Sequence, residues 1–391
     1  MNQTARIISI YAADTSGFCS ALFEYGGMSV IHDASGCNST YTTHDEPRWY
    51  DMDSMMYISG LTENDAVMGN DEKFVDDLVL AAEELRPKFV AICASALPAM
   101  VGVDMQAIAY EVESRTGIPS FEVKTNAMQS YITGAGNAFE ELARRFTREK
   151  LWSPASEGAA PKVNILGLTP LDFPLQRTTE AMRDWLKQNG FEVNSYVGMH
   201  PADTDTSNIE EIERLSDANV NLVVSSIGKP LADYLYEEYK IPYVIGTPYG
   251  KAFARLLSEE LKKAAEQGES VIASKMHSGE DAKVVVIGES VTAASLAAAL
   301  YHENGTKVRV LESVGDGDLS VLNTPDDISC TEEDELEMEI SKAEIVIADP
   351  LFEPICRGKK FIRLPHAAFS GRCFMREERG LIDTELASVL S

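Results

Sequence analysis

Short runs of β-branched and aromatic residues alternate with helix-length amphipathic stretches in three successive rounds, and this alternation constrains the chain more than any other feature. The first round predicts strands at residues 7–11, 28–31, 55–58 and 89–92, with helices at 71–85, 103–115 and 138–150. Residues 151–161, with two prolines, a glycine and small side chains, read as a linker. A second round follows, with strands at 163–166, 192–196, 222–225 and 243–245 and a helix at 178–188. After the polar stretch 274–282, a third round carries strands at 283–287, 307–311, 344–348 and 361–364 and a helix at 292–301. Strands alternating with helices imply parallel sheets covered on both faces. The expected fold is therefore α/β: three doubly wound Rossmann-like domains around a central cleft, with boundaries at 1–150, 161–273 and 282–391.

Length agrees, since 391 residues at roughly 150 per domain favour two or three cores. Lys and Arg number 34 against 62 Asp and Glu, a formal charge of −28. That field opposes a nucleic-acid surface or an anionic membrane and favours a basic protein partner. No apolar stretch approaches the roughly 20 residues of a membrane span, and residues 1–20 lack the pattern of a secretory peptide. A cytoplasmic protein is expected. In that reducing setting Cys19, Cys37, Cys93, Cys330, Cys356 and Cys373 read as buried thiols, metal ligands or redox centres, not as a disulfide framework.

Doubly wound sheets often bind nucleotides, but the fingerprints are missing. Gly288-Glu289-Ser290 lacks the later glycines of a dinucleotide loop, and Gly228-Lys229-Pro230 has a proline where a triphosphate loop needs Ser or Thr. Any ATP dependence would belong to a partner.

Cys19 follows the first expected strand, near the start of a helix that Asp14, Thr15 and Ser16 are suited to cap; Cys37 follows the second strand; Cys93 closes the strand at 89–92. Carboxyl ends of parallel strands share one edge, so three thiols separated by 18 and 56 residues can converge there. Helix N-termini and turn amides at such an edge favour thiolates on an iron–sulfur cluster. Alternatively the thiols pack as small apolar groups. Zinc is a further possibility, although no close Cys-x-x-Cys pair is present.

These residues resemble the nitrogenase component 1 superfamily. Its first cysteine, its His-Gly-Pro-x-Gly-Cys turn, its glycine before a helix and its Cys with a following Ile-Gly-Asp-Asp are matched by Cys19, by His32 to Cys37, by Gly69, and by Cys93 with Val101-Gly102-Val103-Asp104. Asp33-Ala34 replaces Gly-Pro and Val103 replaces one acid. The resemblance implies that Cys19, Cys37 and Cys93 ligate a 4Fe-4S or P-cluster-like centre shared at a subunit interface. It also implies a homodimer or heterodimer with a second subunit of this type, and an ATP-dependent iron protein as electron donor.

The segment around Asn221-Leu222-Val223-Val224-Ser225 is similar to the one carrying the cysteine that holds nitrogenase's active-site cofactor, and Ser225 stands at that position. A neutral hydroxyl is a poor replacement for thiolate on iron, so dinitrogen reduction is not expected. Leu364-Pro365-His366 resembles the stretch bearing the cofactor's histidine, which makes His366 a candidate proton donor and Arg372 a candidate anion contact. An ordinary loop histidine is the other reading. Cys356 and Cys373 flank it, either as a pair or as unrelated thiols. Residues 42–51, rich in charged and aromatic groups, would line a substrate pocket or subunit seam, or form a solvated loop; the acidic run 331–339 reads as an exposed helix face. The function expected is an iron–sulfur reductase subunit acting on a small molecule. The alternatives are a cofactor-assembly scaffold of the same superfamily and a metal-free small-molecule binding protein.

Overall fold

The computed structural model describes residues 6–34, 36, 38, 41, 45–156, 158–202, 209–323 and 325–386. Cys37 and residues 42–44 lie outside them. Among the described residues fourteen strands form three sheets, every pairing within them parallel. The first holds β1 (Met28–His32), β2 (Met55–Ile58), β3 (Val90–Ala94) and β4 (Ser120–Val123) in the order β2-β1-β3-β4. The second holds β5 (Lys162–Leu168), β6 (Glu192–Gly198), β7 (Val220–Val223), β8 (Tyr243–Ile245) and β9 (Val271–Ile272) in the order β6-β5-β7-β8-β9. The third runs β12-β11-β10-β13-β14, from β10 (Val284–Gly288), β11 (Val308–Glu312), β12 (Ile328–Ser329), β13 (Ile345–Ala348) and β14 (Lys360–Arg363). Each sheet therefore reverses its winding direction once, at β1/β3, β5/β7 and β10/β13, and crevices outside the carboxyl ends of strands open at such points.

Central strands of these sheets are apolar because they are covered on both faces. Along β3, Val90, Ile92 and Ala94 pack in an outer cluster with Phe74, Leu78 and Ile108, whereas Ala91 and Cys93 face a large inner core reaching all three sheets. Helix Ser290–Asn304 is apolar around most of its circumference, and ten of its residues are buried. A helix of that kind belongs inside a molecule.

Two expectations are corrected. Residues 7–11 form no strand: Ile10 and Tyr11 donate their amides to Phe369 O and Ala368 O at 2.9 and 3.0 Å, and Arg6 pairs with Glu333 and Glu337. One-sided burial against a helical turn of the third module produces the same alternation as a strand, with Ile8 and Ile10 left outside. The helix expected at 138–150 is Tyr131–Phe146. Gly134 and Gly136 weaken its helical signal, yet contact demands glycine: a Cβ on Gly134 would lie 1.9 Å from Asp14 O, and one on Gly17 would lie 2.0 Å from Tyr131 O. Helices Asp14–Leu22 and Tyr131–Phe146 touch backbone to backbone.

Candidate functional site

Cys19 arrives from helix Asp14–Leu22, ahead of the first strand, and not from a strand end as expected. Asp14 does not cap that helix; its carboxylate accepts the amides of Asn126 and Ala127, both at 2.8 Å, just beyond β4. The helix thus starts at the carboxyl edge of the first sheet, and Cys19 lies roughly 7.5 Å down its axis at 1.5 Å per residue. Cys93 lies one residue before the end of β3, opposite Ile31 of β1 and Val123 of β4. Both thiols belong to the inner core, at 1% and 0% exposure. Burial, then the charge of Glu46, pushes the Cys19 thiol up; burial, then the neighbouring Cys19, pushes Cys93 up. Two buried thiols are part of a thiolate donor set, and a bound metal ion would favour their thiolate form against burial; among the described residues no three His, Cys, Asp or Glu side chains are grouped to hold such an ion. Cys37, the third expected ligand, lies outside the described residues. Cys330 and Cys356 are buried, Cys373 is exposed, and no disulfide joins them.

Beside the thiols lies an ion cluster that neither reading of residues 42–51 foresaw. Arg48 donates to Glu46 at 2.8 Å, to Glu24 at 2.7 Å and to Ser20 O at 2.7 Å, with its guanidinium over the Phe23 ring. Glu24 also accepts from His200 Nδ1 at 2.8 Å, and Glu211 lies 3.4 Å from His200 Nε2, so the cluster ties the first module to the second. Burial opposes charge on His200, but the nearby carboxylates of Glu211 and Glu24, the latter hydrogen-bonded, prevail and raise its pKa to about 9.

The second focus lies where the reversal points of sheets two and three meet. Asp172 follows β5, Ser225 follows β7, Glu289 follows β10, Asp349 follows β13 and His366 follows β14. Asp172 Oδ1 accepts from Tyr131 Oη at 2.6 Å and from His366 Nε2 at 2.9 Å, while its Oδ2 accepts the Ser225 hydroxyl. Ser226 bonds Glu289, which caps helix Ser290–Asn304 through the amides of Val291 and Thr292. Asp349 accepts the His366 amide at 2.7 Å and the Ser370 hydroxyl at 2.8 Å. Burial alone would lower the His366 pKa; the bond and charge of Asp172 hold it above the ordinary value. Burial, then Asp172, raises Glu289.

A cavity of about 50 Å³ opens here, lined in part by Asp172, Tyr249, Glu289, His366 and Arg379. That is room for a few waters. Ser225 and His366, singled out from sequence, thus meet on a shared carboxylate. Arg372 is exposed, with its guanidinium 5.0 Å from the Tyr50 ring centroid, and does not line the cavity. Asp172, Tyr131 and Glu289 were missed. The available signal was position: Asp172 and Glu289 lie in the first turns after the first strand of their rounds, where ligand-facing residues belong. The acidic run forms helix Glu333–Ser341, as expected with an exposed face that carries Asp334, Glu335 and Met338, while Leu336 and Ile340 are buried and Glu339 pairs with Arg309.

Three parallel sheets with side chains converging at their reversal points, and a buried thiol pair in the first, define a multi-module α/β protein with its chemistry at strand ends. Residues 22–318 match the family model described as nitrogenase component 1 type oxidoreductase, and the chain belongs to that family. Among curated proteins it is 26% identical over 212 residues to a subunit of the light-independent protochlorophyllide reductase of Crocosphaera subtropica, covering 52% of this chain and 40% of that protein. With the corresponding subunit from Chlorobium phaeovibrioides it is 24% identical over 299 residues, covering 64% and 54%. The chain thus spans about half the length of these relatives, or less. The solved structure of nitrogenase Cp1 at pH 6.5 superposes with a TM-score of 0.68 at 15% identity over 100% of this chain and 93% of that one, a likeness of fold. Among the described residues, no helix is long and apolar enough to cross a membrane.

Proposed function

We propose that this chain is a nitrogenase-like reductase subunit that receives electrons from an ATP-dependent iron protein and delivers them to a small molecule, other than dinitrogen, near the junction of the sheets. The observation that carries the reading is the burial of Cys19 and Cys93, 74 positions apart in sequence, as neighbours in one core of a chain of this family. Cys19, Cys37 and Cys93 would hold an iron–sulfur cluster, whose chemistry is one-electron transfer. Three cysteines fall short of the four that close such a site, so the remaining ligand would come from a second subunit, in a homodimer or heterodimer.

The chain's own residues then serve the other half of a reduction. His366, whose ring lines the cavity and whose pKa is raised by Asp172, can release a proton to a bound molecule. Arg372 offers an anionic group a charge at the surface beside Tyr50. Ser225 donates its one hydroxyl proton to Asp172 and accepts the Ile227 amide, so it holds the Asp172 carboxylate in place.

The test is iron and sulfide analysis of protein purified without oxygen, for wild type and the triple Cys19→Ala, Cys37→Ala, Cys93→Ala variant. Iron and sulfide should be present in the first and lost in the second; equal contents refute the ligand set. Transfer of the cluster to an acceptor protein without substrate turnover, when a reduced iron protein is supplied, would mark an assembly scaffold instead.

A further inference from the structure

His366 engages Asp172 through Nε2, and its other ring nitrogen, Nδ1, is buried without a hydrogen-bond partner among the described residues. A carboxylate only accepts, so Nε2 must carry a proton whether the ring is neutral or charged. Nδ1 is then the single position at which the ring changes state. Asp172 is buried and accepts three donors from three parts of the chain: Tyr131 from the helix clamped against the Cys19 helix, Ser225 from the end of β7, and His366 from beyond β14.

We propose that Asp172 is the positioning residue of this site: it fixes the ring orientation of His366, whose side chain lines the interdomain cavity, and holds it as an imidazolium. The inference rests on reading His366 as the proton donor, and names what makes it one. On transfer, the Nδ1–H bond breaks, its electron pair stays on the ring, and the proton passes to a basic atom of the bound molecule. A neutral imidazole remains, with Nε2–H still on Asp172.

The groups facing His366 favour this assignment. Asp349 accepts its amide, Glu289 lies across the cavity, and Glu378 and the Tyr131 hydroxyl are also close. All are acids or neutral, and Arg379 is the cationic side chain among those lining the cavity. The two hydroxyls on Asp172 stabilise its carboxylate without neutralising it.

The test is a titration of the full chain labelled with ¹⁵N-histidine, with the His366 signal assigned through His366→Gln. Wild type should show His366 doubly protonated at pH 7. In Asp172→Asn the ratio of imidazolium to neutral ring at pH 7 should fall at least tenfold, because burial persists without a counter-charge. An unchanged titration overturns the proposal. Tyr131→Phe and Ser225→Ala keep the carboxylate and should keep the imidazolium; its loss in either, even should Asp172→Asn fail to fold, assigns the effect to the hydroxyls and overturns the proposal equally. Full turnover by His366→Ala would instead remove the proton-donor reading, while the wild-type titration would still report on the Asp172–His366 pair.

Discussion

Removing Arg48 isolates two carboxylates inside the protein. Its side chain is 4% exposed, and those of its partners Glu24 and Glu46 are 1% and 0% exposed. Breaking a buried pair by deleting one partner typically costs about 3–5 kcal/mol, because the survivor keeps its desolvation penalty without its counter-charge. Here two acids survive, and only Glu24 retains a cation, His200. Arg48→Met should therefore lie near 4–5 kcal/mol by chemical denaturation at pH 7. Glu46, already pushed up by burial, is the acid that would take up a proton, so the loss should shrink as pH falls. Pairing Arg48→Met with Glu46→Gln removes one stranded charge and should recover about half the loss. A single-variant loss under about 1 kcal/mol, the value of an exposed pair, would refute the buried-cluster account. So would a double variant no more stable than the single.

Three further outcomes are expected. Gly134→Ala should destabilise by about 2–3 kcal/mol in the same denaturation assay, because its methyl group would meet Asp14 O at 1.9 Å and the two helices must part. His200, raised from 6.5 to about 9, adds stability that is fully present below about pH 6.5 and is lost as pH rises through 9. The gap corresponds to about 3 kcal/mol, and His200→Gln should flatten the stability profile in that window. Glu378, pushed up to about 7 by burial against its ordinary 4.5, favours folding only while protonated, so its contribution declines between those two pH values. Glu378→Gln should be about 1–2 kcal/mol more stable than wild type at pH 8, after discounting for partial exposure; no gain there would contradict the burial argument.

Much of the architecture was legible because it is periodic. The helices Asp71–Leu85 and Thr178–Gln188 and the strand Tyr243–Ile245 stand where apolar spacing puts them. The segment at 7–11 misled because one-sided burial looks alike whether the partner is a strand or a helical turn. Helix Tyr131–Phe146 was cut short because glycine lowers helical propensity in the same positions where it permits a backbone contact. Ser225 and His366 could be singled out one at a time, because their segments resemble those that hold nitrogenase's cofactor. Their common partner Asp172 had only its position after the first strand of its round to mark it, a weak signal in a chain with 62 acids.

The sequence alone determined the parallel α/β modules, for strand and helix periods are local properties written in neighbouring residues. Only the tertiary structure decided which carboxyl edges meet: that Asp172, Ser225 and His366 share one set of hydrogen bonds across two sheets, and that Arg48 is buried between Glu24 and Glu46. Those encounters join residues 53 and 194 positions apart at the second site, and 24 positions apart at the first. Their energies come from desolvation and charge pairing in three dimensions, which local periodicity does not encode.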